Sequence, residues 1–384
     1  MDKTLFASSN NKFSFDIFKT IFEEKSKENV FVSPFSIAAA VALTHLGAKD
    51  STAQGIANAL CWQPGTEMEI HKQFHTYLGL LQTSSENFEL STANRIYLSD
   101  TIKILNHFKT MANKFYFAEP VNADFAKCAE TERCKINAWV STKTQEKIKD
   151  LLPAGSVDSL TQMIIVNAIY FKGNWDEQFD ERMTCPLPFK LAPGSTKPAP
   201  MMSAKKKYAY CENQDLRCKL LEIPYKGKEL SMVIILPIED FGLQTLVEML
   251  DEEKLKHLIT GLEPASGDVL LYLPKFEVTS SHSLKEPLSA LGMSDAFDRL
   301  TANFHGVTEE SDLYISAVIH KAFIKVNEEG TEAAAATAMI MAPTGVPPSF
   351  TLFMADHPFL YLIKDNRADG LILFIGAIVD PQLQ

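Results

Sequence analysis

The stretch VNEEGTEAAAATAMIMAPTGVPPSFTLFMADHPF, residues 326–359, decides how this chain folds, because its parts pull in different directions. Just ahead of it, AVIHKAFIKV (317–326) alternates as a strand. Val318, Ala322, Ile324 and Val326 share one face with His320, and Lys321 and Lys325 take the other. Glu328, Glu329 and Gly330 follow, then Thr331, Glu332, Ala333, Ala334, Ala335, Ala336 and Thr337. By propensity alone the four alanines read as helix, since Ala is the best helix former. Read with a period of two, Thr331, Ala333, Ala335 and Thr337 make one face of small side chains. A strand with that face can slide between two existing strands without overpacking a core. Met339 and Met341 are larger on the same face, but flexible enough to adapt to an irregular interior. Pro343, Gly345, Pro347 and Pro348 then impose an extended, non-helical backbone of the kind a protease cleft accepts.

Outward from this segment the chain divides by period. In NKFSFDIFKTIFEE (11–24), Phe15, Phe18 and Phe22 with Ile17 and Ile21 recur at helical spacing and form an apolar stripe. SPFSIAAAVALTHLGA (33–48) reads as a complete buried helix, with Ser33 as N-cap, Pro34 at the first position and Gly47 as the stop. The polar pattern over 130–152 predicts a surface helix. From about residue 162 short Ile/Val/Leu runs take over, at 163–166, 232–236, 269–273 and 371–375, and read as buried strands. Residues 359–363 and 371–379, joined by KDNRADG, predict a hairpin. Helices first and strands later predict an α+β fold. The Pro/Gly-rich stretches 187–200 and 342–348 are short enough to be loops, and no repeat or long linker divides the chain.

Composition narrows the function. With 46% apolar and 22% charged residues, the 384-residue chain is an ordinary globular protein and not a disordered one. Its 37 Lys+Arg against 48 Asp+Glu give a net charge of −11, a poor surface for nucleic acid. The longest apolar run, 371–379, contains Gly376 and is far short of the about 20 residues of a spanning helix, so no membrane partner is expected. MDKTLFASSNNKFSFDIF lacks the apolar core and small-residue cleavage site of a signal peptide. Six cysteines without C-x-x-C spacing and no Asn-x-Ser/Thr sequon agree with reduced thiols in a cytosolic protein. No nucleophile elbow, zinc-protease, phosphate-loop or dinucleotide motif occurs, so no catalytic residues, cofactor or metal are expected. His71 and His75 stand four apart without a third ligand and read as structural. Lys205, Lys206 and Lys207 read as a solvated charge cluster.

Four segments together resemble the serpins, and specifically their intracellular, ovalbumin-like subgroup, clade B. They are Asn29-Val30-Phe31-Val32-Ser33-Pro34-Phe35-Ser36, Val166-Asn167-Ala168-Ile169-Tyr170-Phe171-Lys172-Gly173-Asn174-Trp175, the hinge from Asn327 to Thr337, and Ala355-Asp356-His357-Pro358-Phe359-Leu360. The likeness runs from the first helix to Pro381.

The resemblance implies a single α+β serpin domain over 1–384, with about three β-sheets, a helix-rich N-terminal part and an exposed reactive loop at about 328–350. It implies inhibition of a target serine protease by suicide-substrate trapping: the loop is cut, a covalent acyl complex forms, and the loop inserts into the large sheet as a new strand. Carried over at family spacing from Glu328, the scissile bond falls at Thr344-Gly345, with Met341 as an alternative cleavage position. The hinge is Glu328, Glu329, Gly330, Thr331, Ala333, Ala334, Ala335, Ala336 and Thr337. Ser33, Ser36, Asn167 and His320 match the family's shutter under the sheet centre, and Trp175, Lys275 and Glu328 its breach, where Lys275 and Glu328 could pair. Thr344 suits an elastase-like pocket, the first-ranked target, and a chymotrypsin-like enzyme, ranked second, would instead cut after Met341. The alternatives are a non-inhibitory chaperone, storage or carrier protein, or an inhibitor of papain-like cysteine proteases; Thr331 at the first inserting position and the intact alanines after it favour the inhibitor. A monomer is expected, cytoplasmic or also released without a signal peptide.

Overall fold

The computed structural model describes residues 3–82, 87–309, 312–331 and 350–382. The helix Lys3–Glu24 buries Phe15, Ile17, Phe18, Ile21 and Phe22, with Phe18 and Phe22 stacked at 5.6 Å. The helix Pro34–His45 starts as its residues require. Ser33 is extended, its side chain accepts from the Ser36 N–H, and Pro34 occupies the first turn. Every residue from Pro34 to Thr44 is buried, because the helix is apolar around its circumference and is packed on all sides.

The strands among the described residues form three sheets. The large sheet has the order Phe276–Ser283, Ile315–Val326, Met163–Asn174, Phe88–Ser99, Val121–Ala123. Its two central strands, Met163–Asn174 and Ile315–Val326, run parallel to each other, while Phe88–Ser99 is antiparallel to Met163–Asn174. Both faces of Met163–Asn174 are covered. Ile165, Ile169 and Phe171 join the main core, and Ile164, Val166, Ala168 and Tyr170 pack with Ile136 and Val140 of the helix Phe125–Lys143. That is why the strand reads as a continuous apolar run instead of alternating.

The second sheet has the order Val30–Val32, Leu371–Ile378, Phe359–Asp365, Leu230–Pro237, Cys218–Pro224, Ala209–Asn213, Glu263–Pro264. The predicted hairpin is its antiparallel pair, with Phe359 opposite Ile378. Gly376 interrupts the apolar run for a steric reason: a Cβ there would lie 2.6 Å from the Val30 carbonyl oxygen and 2.7 Å from the Tyr361 hydroxyl. The third sheet has the order Thr351–Met354, Val269–Pro274, Ser195–Lys206, Cys185–Ala192. Its edge strand Thr351–Met354 lies parallel to Val269–Pro274.

Three readings of secondary structure need correction. The stretch 187–200, read as a loop, is instead most of an antiparallel hairpin between Cys185–Ala192 and Ser195–Lys206, with Pro188, Pro198 and Pro200 lying on the paired strands. The surface helix expected over 130–152 is Phe125–Lys143. Asp124 caps its start by accepting from the Lys127 N–H, and Gln145 and Glu146 turn the chain with positive φ just past its end. The first third is also less purely helical than its pattern suggests, since it holds the twelve-residue strand Phe88–Ser99.

Candidate functional site between the central strands

The register of the large sheet puts Asn94, Asn167 and His320 side by side at its centre, with Asn94 opposite Asn167 and Asn167 beside His320. The start of the helix Pro34–His45 meets them from below. The Ser33 N–H donates to His320 Nε2 at 3.1 Å, so this nitrogen carries the lone pair and Nδ1 carries the proton. Nδ1–H donates to Asn167 Oδ1. The Asn167 amide donates in turn to the Ser36 hydroxyl at 2.8 Å, to the Ser36 carbonyl at 3.0 Å and to Asn94 Oδ1. The Ser33 hydroxyl donates at 2.7 Å to the carbonyl of Leu373, a strand of the second sheet.

Ser33, Asn167 and His320 are fully buried. Burial pushes the His320 pKa well below the ordinary histidine value, and His282, directly opposite on the neighbouring strand, lowers it further. The imidazole is therefore neutral and works as a fixed donor–acceptor bridge. All four residues placed in the shutter by resemblance meet here. Asn94 was missed. The signal that could have found it is the period-two set Phe88, Leu90, Asn94, Ile96 and Leu98, which faces the main core.

At the upper end of the same strands, the chain from Asn327 to Gly330 is held at many points. Trp175 Nε1 donates to the Asn327 carbonyl at 3.0 Å, and the Trp175 and Phe179 N–H groups donate to the carbonyls of Glu329 and Glu328 at 3.0 and 2.8 Å. Trp175 is itself stacked on Tyr225 with centroids 4.7 Å apart. Glu328 is only 3% exposed, and its carboxylate accepts from Lys275 Nζ and the Thr184 hydroxyl, each at 2.7 Å. Burial by itself would raise its pKa. The hydrogen bonds from Lys275 and Thr184 outweigh that and hold it below the usual glutamate value.

Gly330 then pairs antiparallel with Asn174, and Thr331 with Gly173. Only glycine fits there, because φ is +142° and a Cβ would stand 2.2 Å from the Gly173 carbonyl oxygen. The central strands pair directly with each other as far up as Phe323 and Tyr170, so the segment starts where their pairing ends. Ala333, Ala334, Ala335, Ala336, Thr337, Met341, Thr344 and Gly345 lie outside the described residues.

The other polar features have local partners. His71 bonds His45 and Tyr116, and His75 stacks on Phe117. Lys205 and Lys206 pair with Asp268 and Glu177. Among the described residues, no cluster of three or more His, Cys, Asp or Glu could hold a metal, and no helix is long and apolar enough to cross a membrane.

A helix capped at Ser33 beneath two parallel strands, with a small-residue segment starting between their upper ends, is the arrangement of a serpin. The chain belongs to that family. The profile described as Serpin (serine protease inhibitor) matches residues 8–381, and the fold is the α+β serpin fold with its three sheets. Within the family it falls in the ovalbumin-like subgroup, clade B. It is 39% identical to leukocyte elastase inhibitor of Homo sapiens over 379 residues, 98% of this chain and 99% of that one. It is 38% identical to serpin B9 of Homo sapiens over 375 residues, with the same shares covered. Among solved structures, uncleaved ovalbumin superposes with a TM-score of 0.87 at 30% identity, over 98% of this chain and all of that one.

Proposed function

We propose that this chain, acting as one folding unit, is a suicide-substrate inhibitor of elastase-like serine proteases and not an enzyme. The observation that carries this reading is the register at the top of the large sheet. Gly330 opposite Asn174 and Thr331 opposite Gly173 are the first two pairs of an antiparallel ladder. Continued downward, that ladder sets Ala333 against Phe171, Ala335 against Ile169, Thr337 against Asn167, Met339 against Ile165 and Met341 against Met163. Phe171, Ile169, Ile165 and Met163 all face the main core, so directly opposite residues face it too. The small side chains fall on the face that must be filled without displacing existing packing. Inserted between two parallel strands, the new strand replaces one parallel pairing by two antiparallel ones and buries additional apolar area.

In this mechanism the protease serine attacks the carbonyl carbon of Thr344, the bond to the Gly345 nitrogen breaks, and the new amine leaves with a proton. The acyl ester remains while the loop enters the sheet. Asn167, His320, Ser33 and Ser36 hold the central strands shut before cleavage. Trp175, Lys275 and Glu328 start insertion at the hinge. The family description, the relatives named leukocyte elastase inhibitor and the small uncharged Thr344 support an elastase-like target. We read the inhibitor as a monomer that works in the cytoplasm or after release without a signal peptide.

The test is incubation with an elastase-like protease, followed by denaturing electrophoresis and mass spectrometry. A complex that survives SDS, with a released peptide beginning at Gly345, is expected. Complete cleavage without complex would defeat the inhibitory reading, and a peptide beginning at Ala342 would move the bond to Met341.

A further inference from the structure

The pairing that fixes the hinge also lines up charge on the outer face of the large sheet, the face that carries the helix Phe125–Lys143. Glu89 lies directly opposite Lys172 across the strands Phe88–Ser99 and Met163–Asn174. Glu277 lies directly opposite Lys325 across Phe276–Ser283 and Ile315–Val326, and their side chains pair at 3.2 Å. All four are on the outer face, because Phe88, Phe171, Phe276 and Val326, their neighbours in the strands, face the main core.

The central strands last pair with each other at Phe323 and Tyr170. Two residues further up, the same register sets Lys325 beside Lys172, with the gap that the hinge enters between them. Like charges facing each other across strands are unfavourable. A third cation is close by: Lys147, just past the helix, lies 5.7 and 6.0 Å from the ring centroids of Tyr170 and Phe323. Glu89 already accepts from the Ser91 hydroxyl and the Gln145 amide.

The sequence supplies a further anion. Thr331 opposite Gly173 puts the next residue, Glu332, opposite Lys172 once the loop enters, and period two puts it on the outer face. Across five strands the row then reads Glu89, Lys172, Glu332, Lys325 and Glu277, alternating in sign at every step. Thr331 and Ala333, on either side of Glu332, take the core face.

We propose that Lys172, Lys325 and Lys147 form an anion seat for Glu332, and that filling it promotes the first step of loop entry. The seat rests on the inhibitory reading above. Before cleavage its like charges oppose closure of the strands at the place where the loop must pass; afterwards Glu332 compensates them. A slip of one residue would turn Glu332 into the apolar core, so the seat also fixes the register. The three lysines are positioning residues, acting through the loop and not on the scissile bond.

The test uses the full chain with an elastase-like protease, measuring the ratio of cleaved inhibitor to covalent complex and, separately, the rate of loop cleavage. Glu332→Gln and Lys172→Met should each raise the ratio about two- to fivefold, the worth of one cross-strand charge pair, with the cleavage rate unchanged. The double variant should be no worse than the worse single one, since both remove the same pair. An unchanged ratio, or effects that multiply in the double variant, would overturn the seat. Loop-cleaved protein gives a readout that needs no trapped protease: its guanidinium midpoint should fall in Glu332→Gln while that of the intact protein is unchanged. Equal falls in both forms would also overturn the seat. If the wild type gains stability on cleavage but forms no complex, the inhibitory reading fails and the midpoints still decide the seat. If cleavage brings no gain, the loop does not enter and both fail.

Discussion

Replacing Asn167 by Ala isolates what holds the central strands together. The side chain accepts from His320 Nδ1–H and donates to the Ser36 hydroxyl, the Ser36 carbonyl and Asn94 Oδ1. Its loss leaves a fully buried imidazole N–H without an acceptor, which costs about 1–3 kcal/mol. The Ser36 carbonyl belongs to a helix, and its hydroxyl still receives the Asn94 amide at 3.3 Å, so the bonds to Ser36 add only about 1 kcal/mol. The intact protein should therefore lose about 2–4 kcal/mol. Asn94→Ala is the matched control. There the Ser36 hydroxyl keeps its bond from Asn167 and the Asn167 amide keeps both bonds to Ser36, so the loss should stay near 1 kcal/mol. Urea unfolding of both variants, followed by tryptophan fluorescence at unchanged slope, gives the two numbers directly. Equal losses for the two variants, or an Asn167→Ala loss below about 0.5 kcal/mol, would refute the donor assignment built on His320.

Thr331→Arg puts a charge on the face that insertion must bury, at a cost of several kcal/mol without a partner; the variant should still be cut but yield mostly cleaved protein and little complex by densitometry. Stability should fall with pH below about 6.5, the ordinary histidine value. His71, with its pKa pushed down to about 3, His282, down to about 4, and His320, well below 6.5, all stay neutral in the fold while the unfolded chain takes up their protons. A depressed folded pKa means that stability is fully present above the unfolded value and is lost as pH falls toward the folded one. Urea midpoints that are flat between pH 6.5 and 5 would contradict this. Thr344→Arg should cut the rate of complex formation with an elastase-like enzyme at least tenfold and create complex formation with a trypsin-like one; an unaltered profile would show that another residue enters the specificity pocket.

Much of this was written in local pattern. Ser33 before Pro34 is enough to start a helix, because capping and a proline at the first position involve only neighbouring residues. The alternation around His320 is likewise a local property of a strand with one face to the core: Val318, His320, Ala322, Ile324 and Val326 are all buried. The small residues from Thr331 to Thr337 and the prolines after them were compatible with a strand followed by an extended stretch, and their reading as a reactive loop came with the serpin resemblance; residues 332–349 are not among those described.

What no local pattern could decide is what meets across the chain. Period two puts Asn94 on the core-facing side of its strand with Phe88, Leu90, Ile96 and Leu98, but the partner it meets there, Asn167, lies 73 residues on and is set by the strand pairing. A carboxylate at Glu328 would be read as exposed, yet it is buried because Lys275 and Thr184, distant in sequence, both reach it. The proton on His320 sits on Nδ1 because a backbone N–H 287 residues away points at Nε2. Capping, propensity and alternation act over a few residues and survive in the sequence alone. Register, burial of charge and the direction of a hydrogen bond depend on partners that only the tertiary fold brings within 3 Å.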